Sequence, residues 1–210
     1  MLGIVNYGLG NVQAFANVYK HANLPHLICS TADELRSVQR IILPGVGAFD
    51  QAMAMLNESG MRDALDEQVL VHKTPVLGVC VGMQMMGHSS DEGGAPGLGW
   101  IDGTVRRIDT SQLAHKPSLP HMGWNDVTPR QEEGLFEGLG QDALFYFLHS
   151  YCFICADQSH TLAESEYGGA IAAAIARDNI YGVQFHPEKS HSYGIRLLSN
   201  FARLPLNQAT

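Results

Sequence analysis

A chain of 210 residues, 45% of them apolar, can build the core of one α/β domain or two small ones, which excludes a disordered segment. The net charge of −8, with no basic stripe, excludes a nucleic-acid backbone as the natural partner. The opening MLGIVNYGLGN has no basic stretch and only a short apolar run, so it is not a signal peptide; no stretch reaches the length of a membrane span, and a cytoplasmic protein is expected.

In chain order, Leu2–Val5 reads as a buried strand, followed by a turn over Asn6–Asn11 and an amphipathic helix through Ala22. His26–Cys29 is the next strand, and Thr31 is placed to cap a short helix that begins near Ala32. Ile41–Leu43 is a third strand, ended by Pro44-Gly45-Val46-Gly47. Helical patterns cover Phe49–Leu56 and Met61–His72, Pro75–Val79 is a fourth strand, and a helix is expected from Val81 to about His88. Short apolar runs alternating with helices are the pattern of βαβ units around a parallel sheet.

The second half changes character. Residues 89–103, rich in Gly and acidic side chains, read as a surface loop. β-like stretches follow at Thr104–Ile108, Leu144–Phe153, Thr161–Tyr167, Ala170–Ala176 and Tyr181–Gln184, with a hairpin turn at Tyr167–Ala170. A last helix, Gly194–Arg203, places Ile195, Leu198 and Phe201 along roughly one apolar side. The expected architecture is one α/β domain, a mostly parallel central sheet flanked by helices with a small antiparallel β appendage.

Four cysteines, Cys29, Cys80, Cys152 and Cys155, form no disulfide framework. Cys152 and Cys155 make a CxxC inside FYFLHSYCFIC, where residues three apart face opposite sides of a strand, so they read as buried structural thiols. Cys80 differs. It lies in Gly78-Val79-Cys80-Val81-Gly82, between an apolar strand and a helix, the arrangement of a nucleophile elbow with Cys in place of Ser. The glycines permit the sharp turn, and the helix N-terminus favours a thiolate and an oxyanion. The competing reading is a core cysteine in a Gly-rich turn.

Gly182-Val183-Gln184-Phe185-His186-Pro187-Glu188 supplies an imidazole and a carboxylate. Pro187 pushes His186 towards an extended conformation, and in an extended segment residues 186 and 188 project to the same side, as a Cys–His–Glu triad needs. The competing reading is a surface His beside a solvated Glu. Pro44-Gly45-Val46-Gly47 can aim backbone N–H groups at a developing oxyanion, or be an ordinary turn. His149 reads equally as a structural histidine on an apolar strand. The remaining histidines show no metal-site spacing, and NYGLGN carries only part of a dinucleotide fingerprint.

Together these segments resemble the class I glutamine amidotransferases and, within that family, the glutaminase branch that serves imidazole glycerol phosphate synthase. The matching motifs are NYGLGN at 6–11, LPGVGAF at 43–49, GVCVGMQ at 78–84, PHMGWN at 120–125, FLHSY at 147–151 and GVQFHPEKS at 182–190. The resemblance implies a flavodoxin-like domain over residues 1–210, with no cofactor and no metal. It implies that Cys80 attacks the glutamine carboxamide, that His186 is the acid–base and that Glu188 orients it. It further implies an oxyanion hole from Val81 with Val46 and Gly47, and a glutamine pocket lined by Gln84, His149, Ser150 and Tyr151. Ammonia would pass to a (β/α)8-barrel cyclase or synthase subunit in histidine biosynthesis, docked near Trp124, Tyr146 and Lys189. VCVGMQMM followed by HSSDEGG also resembles a paralogous group that serves sugar amination in surface-polysaccharide synthesis, which is the alternative for the acceptor. An elbow cysteine alone would also suit a peptidase, deglycase or chaperone on a related fold, which PGVG and HPE argue against; a catalytically idle interaction protein is a third reading, which the intact triad argues against.

Overall fold

The computed structural model describes residues 1–113, 118–140 and 143–206. Its centre forms where the apolar runs are unbroken. Ile4, Val5, Ile41, Ile42, Leu43, Val76 and Leu77 are fully buried, as parallel strands covered on both faces must be. Strands β1 (Leu2–Val5), β2 (His26–Cys29) and β3 (Arg40–Gly45) alternate with helices α1 (Val12–His21) and α2 (Ala32–Arg36). Thr31 caps α2 in a reciprocal box: its hydroxyl accepts the Glu34 N–H, and the Glu34 carboxylate accepts the Thr31 N–H. Helices α3 (Phe49–Glu58) and α4 (Arg62–Asp66) then lead to β4 (Val76–Cys80) and to α5 (Val81–Gln84).

The second half supplies β5 (Gly103–Arg107), β6 (His121–Asp126), β7 (Thr128–Pro129), β8 (Leu144–His149), β9 (Tyr151–Cys155), β10 (Thr161–Glu166), β11 (Ala170–Arg177), β12 (Ile180–Val183) and α6 (His191–Arg203). The main sheet has the order β2-β1-β3-β4-β12-β11-β10-β7. It is parallel from β2 to β12 and antiparallel beyond, and β5–β9 and β6–β8 form separate antiparallel ribbons. Among the described residues no helix is long and apolar enough to cross a membrane.

Several expectations need correction. Leu144–Phe153 is two strands, because the chain leaves its pairing with β6 at His149 and joins β5 from Tyr151. At the break, the Ser150 carbonyl accepts the Ile108 N–H. The helix after Cys80 stops at Gln84, and Met86 and Gly87 close tight turns back onto Met83 and Gln84. Met61–His72 is α4 followed by a π-type turn over Glu67–Val71. The last helix starts at His191, and Ile195 faces solvent while Leu197, Leu198 and Phe201 are buried, so the apolar stripe lies one step round from the expected side. Strands β6 and β7 were not expected at all. The Tyr167–Ala170 hairpin and the buried, oppositely packed Cys152 and Cys155 are as the pattern predicts.

Candidate active site

Strands β3, β4 and β12 are neighbours, with Gly45 opposite Cys80 and Val79 opposite Val183. Their C-terminal ends therefore deliver the PGVG loop, the cysteine elbow and the FHPE segment to one edge of the sheet, where open α/β sheets place their sites. The sequence kept the last two far apart; the β4–β12 pairing joins them.

Cys80 has φ 56° and ψ −113°, a left-handed backbone that an L-residue adopts only when its surroundings enforce it. The enforcement is visible at Gly82, where a Cβ would collide with the Leu43 carbonyl, and at Gly45, which lies against the Gly82 backbone. The helix that follows is one turn long, so the expected macrodipole reduces to its few leading N–H groups. The Cys80 sulfur accepts the Gln184 side-chain N–H at 3.8 Å, and its S–H points at the Leu148 carbonyl at 4.0 Å.

His186 and Glu188 meet, though not by the expected extended geometry. His186 is extended, but Pro187–Lys189 is a 3-10 turn, which curls the carboxylate back under the ring. His186 Nδ1 donates to Glu188 Oε1 at 2.9 Å, with both side chains almost fully buried. Burial pulls the His186 imidazolium down, but hydrogen bonding and charge from Cys80 and then Glu188 outweigh it and raise His186 to about 9. The turn is clamped to β8: His186 N–H donates to the Tyr146 carbonyl, while the Ser190 hydroxyl donates to the His186 carbonyl and accepts the Tyr146 N–H. This arrangement sets an oriented, charge-balanced imidazole beside a cysteine sulfur, the pairing that activates a cysteine nucleophile.

A cleft of about 450 Å³ opens over the sulfur. It is lined by Val46, Gly47, Cys80, Val81, Gln84, Glu92, His149, Ser150, Tyr151, His186 and Lys189, with Pro120 and Leu148. Every residue expected in the nucleophile, oxyanion and substrate sets lines it except Glu188, which lies beneath His186. Gln84 donates to the Tyr151 carbonyl at 3.2 Å and to Gln184 Oε1 at 3.1 Å, which fixes its amide at the wall of the cleft. Trp124, Tyr146 and Lys189 form a second cluster at the rim. Trp124 packs edge-on to Tyr146 and stacks on His191, and the Lys189 ammonium lies 5.8 Å above the Tyr146 ring. Met122, Leu144 and Leu148 extend this cluster as exposed apolar surface.

Sequence reasoning missed Glu92, Gln184, Ser190, His121 and Tyr7. Glu92 sat in a stretch read only as loop, yet it is the carboxylate of the cleft, and one of its oxygens accepts the Phe49 N–H at the start of α3. Tyr7, from NYGLGN, donates its hydroxyl to the Pro44 carbonyl and so braces the PGVG loop; burial and then the Cys80 charge push its pKa up. Periodicity carries no signal for any of these, because each acts through contacts with residues far along the chain.

Residues 5–204 match the family model described as Glutamine amidotransferase class-I. The chain is 56% identical to the imidazole glycerol phosphate synthase subunit HisH of Bdellovibrio bacteriovorus, over 97% of this chain and 100% of that protein. It is 48% identical to the protein of the same name from Leptospira borgpetersenii, with the same coverage of each chain. Among solved structures, one described as a glutamine amidotransferase superposes with a TM-score of 0.73 at 18% identity, covering 96% of this chain and 98% of that one. A chain from PurLQS of Thermotoga maritima superposes with a TM-score of 0.73 at 14% identity, over 95% and 96% of the two chains. At those identities the structural matches speak for the fold alone.

Proposed function

The chain belongs to the class I glutamine amidotransferases, and from that premise we propose that it is the glutaminase subunit of an imidazole glycerol phosphate synthase, supplying ammonia to a (β/α)8-barrel cyclase subunit in histidine biosynthesis. The observation that supports this best is the meeting of Cys80, His186 and Glu188 beneath one cleft, at the ends of β4 and β12.

In this reading the Cys80 thiolate attacks the side-chain carbonyl carbon of glutamine. The oxyanion formed is met by N–H groups of Val81 and the Val46–Gly47 segment, an arrangement in which one donor is worth about 10²–10³ in rate. Collapse expels ammonia as His186 hands it a proton, leaving a γ-glutamyl thioester. His186 then takes a proton from water, whose oxygen attacks the thioester carbonyl, and glutamate leaves as the acyl C–S bond breaks and Cys80 returns to a thiolate. Glu188 keeps the ring oriented and balances its charge. Gln84, His149, Ser150 and Tyr151 hold the substrate, and the Glu92 carboxylate suits the α-ammonium of an amino acid. We take residues 1–210 as one such domain, working in the cytoplasm, with the synthase docking on the apolar face around Trp124, Tyr146 and Lys189.

The test is steady-state glutamate release by the isolated chain and by its complex with the cyclase subunit and an acceptor analogue. A rise of at least about tenfold with the complex is expected, within what one oxyanion donor supplies. The sugar-amination alternative predicts that a different synthase gives the activation, and no release with either synthase would end the proposal.

A further inference from the structure

A line of polar groups crosses the β6–β8 ribbon behind the cleft, and the direction of every hydrogen bond in it is fixed from both ends. At the outer end, Asn125 Nδ2 lies 3.0 Å from the Glu166 carbonyl, so that atom is the amide nitrogen. The same nitrogen is 3.3 Å from His121 Nε2, which must therefore be the unprotonated, accepting nitrogen of its ring. A neutral His121 then carries its proton on Nδ1 and donates it to His149 Nε2 at 3.0 Å. His149 in turn carries its proton on Nδ1 and donates to the Tyr151 carbonyl at 2.8 Å. Starting from the Tyr151 carbonyl, which can only accept, and working outward gives the same assignment.

Neither ring has room for a second proton. An imidazolium at His149 would set two N–H groups against each other, and one at His121 would face the Asn125 amide N–H. Burial, followed by the neighbouring imidazole, pushes His121 down to about 3. Burial likewise holds His149 down, to about 4, and the facing His186 adds to that against the opposing bond to Tyr151. His121 is stacked between the rings of Phe147 at 4.6 Å and Tyr167 at 3.9 Å, which hold its ring plane, and the bonds to Asn125 and His149 select which edge faces which.

The far end of the line is the glutamine site. The Tyr151 carbonyl that accepts from His149 also accepts from Gln84, on the elbow helix. The corner 149–151 is paired with β5 on one side, and on the cleft side it is tied by the His149 Nδ1–H bond, which only one tautomer can make. We propose that His121 is a positioning residue of the glutamine site: by donating from Nδ1 it locks His149 as the neutral Nδ1–H tautomer, which aims the Tyr151 carbonyl at Gln84. The proposal rests on the glutaminase reading above. It assigns work to a side chain that never reaches the cleft.

The test has a structural and a kinetic arm, both on the chain in complex with its synthase. Nitrogen-15 imidazole spectra of the wild type should show both rings protonated on Nδ1 and unchanged from about pH 6 to about pH 8, where an ordinary histidine titrates. His121→Phe keeps the stack and removes both nitrogens. Losing one buried hydrogen bond is worth about a tenfold change, so the glutamine KM should rise about tenfold while ammonia-driven synthesis holds. His121→Asn, whose amide nitrogen replaces Nδ1, should recover part of that rise; if the Phe variant fails to fold, the Asn variant and the wild-type spectra decide. An Nε2–H tautomer at either ring, or an unchanged KM in a folded His121→Phe, overturns the proposal while leaving the glutaminase reading intact. A wild-type complex that releases no glutamate brings down the reading and the proposal together.

Discussion

Replacing Glu188 by Gln alters a pair that solvent barely screens, since the His186 and Glu188 side chains are 4% and 2% exposed. The change is nearly isosteric, and the amide oxygen can still accept from His186 Nδ1, so the fold should survive. What goes is the negative charge. Burial then pulls the imidazolium down with only Cys80 left to oppose it, so His186 falls below its native value of about 9. The amide can also turn its N–H to the ring and select the wrong tautomer. Loss of the orienting acid in such triads costs about 10⁴ in rate and loss of the base about 10⁶. The expected loss for Glu188→Gln is accordingly about 5.5 kcal/mol of transition-state stabilisation, smaller than that for His186→Ala. Glutamate release by the complex, followed from about pH 6 to about pH 10, should also show the alkaline limb moved to lower pH. Thermal melting checks that the variant is folded. Full activity, or an alkaline limb that stays in place, would make Glu188 a bystander and refute the argument.

Cys80→Ala should abolish glutamine-dependent synthesis by the complex and spare synthesis driven by ammonium salts; any glutaminase activity left in it removes Cys80 as nucleophile. His186 titrates at about 9 in the fold against about 6.5 in an unfolded chain, so it adds stability that is complete below about pH 6.5 and lost as pH rises through about 9. The melting-temperature gap between wild type and His186→Gln should therefore close across that window, and a gap that ignores pH speaks against the imidazolium. Gly47 sits at φ 81°, which proline, fixed near about −65° and lacking an N–H, cannot adopt. Gly47→Pro should flatten the activation by the synthase with docking affinity held, and an undiminished response would clear this loop of any part in it.

What the sequence revealed and concealed follows from the range of the forces involved. Strands β1, β3 and β4 were legible because both their faces are buried, so the apolar run is continuous and needs no partner to be recognised. Thr31 was legible because its capping box closes within three residues. Strand β6 was not, since Met122 and Trp124 face outward and His121 inward, which inverts the usual alternation of apolar inside and polar outside. Gly123, at φ 127°, breaks the pattern further. The split at Ser150 was invisible for another reason: both halves are equally β-like, and only the exchange of pairing partner divides them. The site divides likewise. Cys80 and HPE announce themselves locally, but Glu92 and Tyr7, and Ser190 through its bond to Tyr146, take part through contacts that no window along the chain contains.

That same inversion has a physical consequence. In a strand, successive side chains point to opposite faces, so ribbon β6–β8 presents His121 and His149 to the interior and Met122, Trp124 and Leu148 to the exterior. His121 pairs with His149 and Trp124 with Tyr146 across one ladder, so the two faces share a single backbone. The Tyr146 main chain also clamps the turn that carries His186 and Glu188. A protein seated on the outer face thus bears on a ribbon whose inner face aligns the glutamine pocket and whose backbone holds the base. The parallel strands, by contrast, position the nucleophile through packing that reaches no exposed patch: Cys80 is fixed by Gly45, Gly82 and the Leu43 carbonyl. Control by a partner therefore has a short route to substrate and base, and it reaches the sulfur only through the one long S–H contact to the Leu148 carbonyl. Outer-face substitutions should consequently separate coupling from chemistry, changing how glutaminase activity responds to the synthase before they change the reactivity of Cys80 towards a small alkylating agent.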